Sequence, residues 1–509
     1  MSEKMLSAGK GALFLTALSA ISQLLGFFYR VVLSRLVGAE VMGLYQLIMP
    51  VYSVIMSLTA VGLVSAASNL TSQHLALGNR KAADQTIATC MRLFFLLLLP
   101  IGAAVILGSD AISVYLLGDA RTQLGLVLLI PCAALTGVEN CHKHFFYGSG
   151  LVRPPAVIEL LEQFVRTFAV IALLVLFLPQ YPERVVGLIV AGMVICEVFS
   201  SCTLVALYRR RRGFLAGRGE EGRVRRRRIL SIALPVGLNA LLGNLMGAAN
   251  SALIPQKLVE GGMERSAAVA QFGVVCGMTM PMLSLPIVFL GALNLVLVPR
   301  LSRACALGRP AEVRKLISQA VSAVSLLTLP CMAFMVVVGP DLGRAMFHQE
   351  GVGEYLVPLA CVMAMSCGTS VLASSLNGVG RQRTVAAISL TSGAVQLGFT
   401  LALVPLSGVG MAGYVAGAVA STALELGLCL WQAARATGLE VRPFQWMAAP
   451  GLSALLAGLV GNLLFRVLKD SGLAPIPAGL ATLIFALVLY LAALQAQGVK
   501  AREVLRLDW

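Results

Sequence analysis

The chain has 509 residues, 58% hydrophobic and 12% charged, with a net charge of +16 and a mean hydropathy of +0.86. Soluble domains are about one quarter charged, so a string of soluble domains is excluded and the apolar excess belongs in lipid. The basic residues sit in short stretches between apolar runs, which is the pattern of membrane topology and not of nucleic-acid binding.

Met1 to Lys10 is short and polar, and the apolar run behind it is long enough to span a bilayer. It therefore reads as a retained helix and not as a cleaved signal. A span takes about 20 mainly apolar residues. Fourteen such segments follow in order: 12–36, 44–69, 87–108, 123–146, 155–178, 185–208, 229–254, 267–298, 317–338, 355–378, 384–404, 409–432, 446–466 and 476–497. The first carries Arg30 and Arg35, and the second carries Pro50. The fourth holds Glu139, the fifth Glu159, Glu162 and Arg166, and the sixth Glu197. The stretch "YRRRRGFLAGRGEEGRVRRRR" (208–228) has no apolar period and reads as a solvated linker. Beyond it, the seventh span bears Asn244 and Asn250, the eighth Pro281 and Pro286, and the twelfth Glu425.

With the N-terminus on the cytoplasmic side, and with Arg92, Lys143 and Arg466 near span ends counted with the loops they border, 29 of the 39 Lys and Arg fall in inside segments and 7 in outside segments. The other three, Arg30, Arg35 and Arg166, lie within spans. This alternation predicts an even span count with both termini inside. The eleven Cys lie in or beside apolar segments with no C-x-x-C, so neither a disulfide framework nor a metal site is expected. His142 and His144 are two apart and lie on different faces of a helix, which argues against a two-His metal site. No P-loop is present, so ATP hydrolysis, and enzyme chemistry generally, is not expected, and no cofactor is implied.

The two halves repeat. Gly78 and Gly308, Pro100 and Pro330, Gly148 and Gly378, Gly150 and Gly380, and Arg153 and Arg383 all keep an offset of 230, and Pro50 and Pro281 lie 231 apart. Six spans separate equivalent points, an even number, so the repeat is parallel. The expected fold is an all-α polytopic membrane protein with 14 transmembrane helices. It comprises two six-helix lobes related by a pseudo-twofold repeat, and two extra helices. The expected divisions are 1–208, the Arg-rich linker 209–228, 229–432, and 433–509 with the last two spans and a tail. Two like lobes around a cleft suit a transporter that opens to either side by rocking.

The stretches "GFFYRVVLSRLVGAEVMGLYQLIMPVYS" (26–53) and "ALGNRKAADQ" (76–85) resemble the stage V sporulation protein B branch of the polysaccharide exporters. That branch belongs to a superfamily with the multidrug and toxin extruders, the O-antigen flippases and the lipid II flippases. The resemblance covers the whole chain. It implies movement of an undecaprenyl-pyrophosphate-linked glycan or peptidoglycan precursor across the bacterial plasma membrane by alternating access, in spore or cell-envelope synthesis. The chain departs from the pattern at Gln23, where related sequences often have Arg.

The resemblance gives the buried arginines a reason. Arg matches phosphate oxygens bidentately and keeps its charge. Arg30 is the expected cleft residue. Arg35, nearer the interface, reads either as a snorkelling side chain or as a second contact. Gln23, Arg166, Asn244 and Asn250 complete the substrate-binding candidates, and the asparagines could equally hold helices together. Glu162 and Arg166 are spaced for an i, i+4 ion pair. Glu139, Glu159 and Glu162 could form an acidic cluster for H⁺ or Na⁺, with Glu197 and Glu425 as further coupling-ion candidates. Pro50, Pro281 and Pro286 are expected to break helices that face the cleft. The Arg-rich linker should attract anionic membrane lipids. An ion-coupled exporter of organic cations is the alternative function, and a non-transporting scaffold is a third.

Overall fold

In the computed structural model, which describes residues 2–211, 219–284, 288–442 and 444–498, every regular element among the described residues is helical. Thirteen of these helices are long and apolar enough to cross a membrane. The first, Leu18–Ala76, covers 59 residues. At 1.5 Å per residue that is roughly 88 Å, against a hydrocarbon core of about 30 Å. The helix is broken at Gly38 (φ 77°, ψ 178°), between the first and second expected spans. The expected count of fourteen treats its two limbs as separate spans.

The chain divides into two compact units, Met1–Gln256 and Lys257–Trp509. The first contains α1 (Ser2–Met56), α2 (Gly62–Ala76), α3 (Arg80–Leu107), the short α4 (Ser109–Ala111), α5 (Gln123–Gly148), α6 (Arg153–Phe177), α7 (Val185–Arg211) and most of α8 (Gly222–Glu260). The second contains α9 (Arg265–Phe272), α10 (Met280–Ser284), α11 (Val288–Ala306), α12 (Pro310–Phe347), α13 (Leu356–Gly378), α14 (Gln382–Leu403), α15 (Met411–Thr437), α16 (Ala449–Asp470) and α17 (Pro475–Ala496).

The repeat read from the sequence recurs in the packing inside each unit. In the first, α7 packs on α5 and α6; in the second, α15 packs on α13 and α14. The matched glycines explain part of the sequence match. Gly78 and Gly308 end helices at φ 70° and 65°, and Gly150 and Gly380 do so at 75° and 83°. Side chains with a Cβ rarely adopt that conformation. The last pair, α16 and α17, packs together and against α12.

The boundary between units differs from the expected one. The sequence reading places the helix after the linker at the head of the second lobe. In the structure that helix, α8, groups with the first unit as far as Gln256. Its backbone lies against α2, where a Cβ on Gly62 would come within 2.2 Å of the Ala233 carbonyl oxygen. Small residues allow such close approach between helices. Two side chains of α8 also take up first-unit carbonyls: Asn244 Nδ2 donates to Ser53 O at 3.2 Å, and Gln256 Nε2 to Leu116 O at 2.7 Å.

The helix breaks also shift from their expected places. α1 continues through Pro50, and the irregular turn is π-helical at Ser57–Val61. In the second unit a π-helical turn, Gly273–Thr279, precedes buried Pro281, which itself sits inside α10. A π turn displaces the i→i−4 ladder without a proline. Pro286 lies outside the described residues.

Candidate functional site

The interior of the first unit gathers charges from three helices. Arg166 of α6 is the hub. Its Nη2 bonds Glu162 Oε1 one turn earlier, lies 3.6 Å from Glu197 Oε1 of α7, and its Nε donates to Cys196 Sγ at 3.4 Å. A second, adjacent group centres on Lys143 of α5. Its Nζ lies 2.9 Å from Glu159 Oε2 and 4.0 Å from Glu139 Oε1. Glu139 accepts from Ser200 Oγ of α7 at 2.9 Å. Glu139 in turn acts electrostatically on Glu162 and Glu197, which joins the two groups.

Glu139, Glu162 and Glu197 are all buried. Each ion so buried costs several kcal/mol of lost hydration, and partners must offset it. The offset here is incomplete. Glu197 Oε2 is buried without a hydrogen-bond partner among the described residues, and so is Tyr29 Oη of α1. Four carboxylates face two cationic side chains, a balance that leaves room for a proton or a small cation.

Arg30 stands differently from Arg166. It is half-buried and makes no hydrogen bond or ion pair among the described residues. Its neighbours at i±3 and i±4 are Gly26, Phe27, Leu33 and Ser34, so no local acid is available. Tyr29 and Tyr45 lie within electrostatic range of both Arg30 and Arg166. α1 itself packs against α6. The arrangement thus sets one engaged and one unengaged guanidinium about a pair of buried tyrosines.

The other predicted residues are dispersed. Gln23 and Arg35 are exposed. Asn244 is engaged with Ser53 O, and Asn250 is half-buried. Glu425 sits in the second unit, where it accepts from Ser389 Oγ at 2.8 Å. From the sequence, Glu139, Glu159 and Glu162 group together while Glu197 stands apart and Lys143 falls among the loop charges. The spacing of Glu139 and Lys143, i and i+4 with the acid first, is the signal that could have placed Lys143 in the cluster. Nothing in the sequence singles out Tyr29, Cys196 or Ser200.

Taken together, these features define a multi-pass helical membrane protein of two like-packed units, the first with a charged interior. Residues 8–305 match the polysaccharide biosynthesis protein family, and the chain belongs to that family. It is 25% identical over 357 residues to stage V sporulation protein B of Bacillus subtilis (strain 168), covering 69% of each chain. It is 23% identical over 427 residues to the lipid II flippase MurJ of the same organism, covering 78% of this chain and 76% of the relative. Among solved structures, lipid II flippase MurJ in an inward closed conformation aligns with a TM-score of 0.69 at 11% identity, over 97% of this chain and 100% of that one. An inward-facing multidrug resistance MATE family transporter of the MOP superfamily aligns at 0.63 and 15% identity, over 84% and 96%. At such identities these two likenesses bear on the fold alone.

Proposed function

We propose that the chain is a flippase that carries a polyprenyl-pyrophosphate-linked oligosaccharide or peptidoglycan precursor across the bacterial plasma membrane by alternating access. Family membership and the relatives named for sporulation and for lipid II flipping support this reading. The observation that carries it is Arg30. A guanidinium inside an apolar helix costs roughly 2.5–3.5 kcal/mol on insertion scales, and this one has no protein partner among the described residues to offset it. A pyrophosphate would accept its fork of donors. The organic-cation alternative gains little from the acidic cluster, because Arg166 and Lys143 engage those carboxylates and leave over only buried positions such as Glu197 Oε2, which suit a proton or a small ion.

On this reading the cluster around Arg166 takes up the coupling ion, H⁺ or Na⁺, and both termini face the cytoplasm with the linker. Arg223, Arg226 and Arg227, exposed at the start of α8, meet anionic headgroups there. The test is transport in vesicles. Reconstituted protein should move a fluorescent undecaprenyl-pyrophosphate sugar between leaflets and should not extrude ethidium. Ethidium efflux without lipid movement would replace this reading with the alternative.

A further inference from the structure

The first unit holds a cavity of about 350 Å³ between α3, α5 and α7, on the side of the linker that follows α7. Ile87 and Met91 of α3, Val138 of α5 and Val205 of α7 give it apolar walls, while Asp84, His142, Tyr208 and Arg209 supply its polar groups. Those groups lie toward the linker, with Asp84 in the second turn of α3 and Tyr208 and Arg209 in the last turn of α7. From Asp84 to Met91 the cavity follows α3 for roughly 10 Å. Beyond it α3 exposes Phe95, Leu96 and Leu99, an apolar face that suits lipid. Exposed Ala88 and Arg209 mark the mouth.

The polar end is built and not loose. Tyr208 is held edge-on by the rings of His142 and Phe145, at centroid distances of 4.9 and 4.8 Å, and its Oη donates to Asp84. His142 Nδ1 lies 2.7 Å from Val138 O. A carbonyl only accepts, so Nδ1 carries the proton and Nε2 of the neutral ring is an acceptor. That acceptor has no partner among the described residues, on a residue only 7% exposed. Arg209 likewise makes no hydrogen bond or ion pair among the described residues. Val138 and His142 each stand one position before Glu139 and Lys143, about 100° round α5, so the cavity and the charged interior occupy different faces.

We propose that this cavity is a site for a bilayer phospholipid with a primary-amine headgroup, such as phosphatidylethanolamine. The lipid phosphate meets Arg209. The ammonium donates to His142 Nε2 and lies in the negative field of Asp84. The first part of one acyl chain enters between Ile87, Met91, Val138 and Val205. The polar end sets a cation beside acceptors, so its occupant carries both signs of charge. A glycerol headgroup brings hydroxyls but no positive charge for Asp84, and a choline headgroup brings the charge without an N–H for His142. The occupant is a lipid and not a free metabolite because the apolar walls run on into the lipid-facing side of α3. The site makes no demand on the transported substrate, so it stands apart from the flippase reading.

Native mass spectrometry of delipidated full-length protein tests this, with phosphatidylethanolamine, phosphatidylcholine and phosphatidylglycerol of the same chains added in equal amounts. Wild type should retain phosphatidylethanolamine roughly ten-fold over the other two, the scale of one hydrogen bond to a charged group. His142→Phe, which keeps a ring against Tyr208, should lower phosphatidylethanolamine to the level of phosphatidylcholine. Arg209→Gln should weaken both about equally, because both carry the phosphate. Ala88→Trp, at the exposed mouth, should exclude all three while leaving the melting temperature unchanged. Glycerophosphoethanolamine, the same headgroup without chains, should not displace the lipid, and displacement at equal concentration would make the site one for a soluble metabolite. Equal retention of the three lipids by wild type, or a preference that survives both His142→Phe and Ala88→Trp, would overturn the proposal.

Discussion

The same helix positions are built with charges in the first unit and without them in the second. At the repeat offset of 230, Glu162 and Arg166 of α6 correspond to Ser392 and Gln396 of α14, and Glu139 of α5 to Thr369 of α13. In the second unit Gln396 Nε2 donates to Tyr414 O at 3.2 Å, and its Oε1 accepts from Ser421 Oγ at 3.0 Å. Ser392 Oγ donates to Ser421 O at 2.9 Å. These neutral hydrogen bonds, with that of Ser389 to Glu425, therefore hold α14 to α15 where ion pairs join α6 to α7. Packing alone does not call for Glu162, Arg166 and Glu197, and buried ions are the costlier way to hold two helices. The difference sets the first unit's interior apart as the place where charge is kept, and it is there that the proposed function puts the coupling ion.

The sharpest way to break that comparison is Arg166→Ala. It strands Glu162 and Glu197 in a buried site, so a loss of about 3–5 kcal/mol is expected, seen as a lower melting temperature in detergent. If Arg166→Ala melts like wild type, the ion pairs are not the organising contacts of this interior. Exchanging Glu162 and Arg166 for the second unit's residues, as Glu162→Ser with Arg166→Gln, together with a neutralising Glu197→Gln, should recover most of that stability while abolishing transport. Recovery of both would make the charges dispensable. In the second unit, Gln396→Ala removes two neutral hydrogen bonds and should cost about 1–2 kcal/mol, less than half the Arg166→Ala loss. Ser389→Ala removes one bond to the half-buried Glu425 and should cost under about 1 kcal/mol. A cost there equal to that at Arg166 would erase the asymmetry between the units.

The architecture was legible because it rests on long-range regularities. Span length, charge alternation and the repeated Gly, Pro and Arg positions all follow from the bilayer and from left-handed helix ends, and both leave marks in sequence. The site was legible only in part. Glu162 and Arg166 share one helix face, so spacing reveals them, whereas the approach of Glu197 and Cys196 depends on how α6 meets α7. The breaks were misplaced because a π turn, unlike proline, has no residue of its own. The placement of α8 with the first unit rests on contacts that no hydropathy pattern encodes, among them the close approach of Gly62 to Ala233 and the bonds of Asn244 and Gln256 to first-unit carbonyls. Gln23, read as a departure from the related pattern, is exposed in the structure and stands two turns from Arg30.

The most direct measurement pairs thermal stability with lipid flipping in an Arg30→Ala protein. Arg30 has no hydrogen-bond or ion-pair partner to strand among the described residues, so the melting temperature of Arg30→Ala should match wild type while movement of the undecaprenyl-pyrophosphate sugar is lost, with partial activity in Arg30→Lys, which keeps the charge without the fork. Full flipping by a folded Arg30→Ala protein would contradict the phosphate role, and a collapsed melting temperature would show that Arg30 holds the fold.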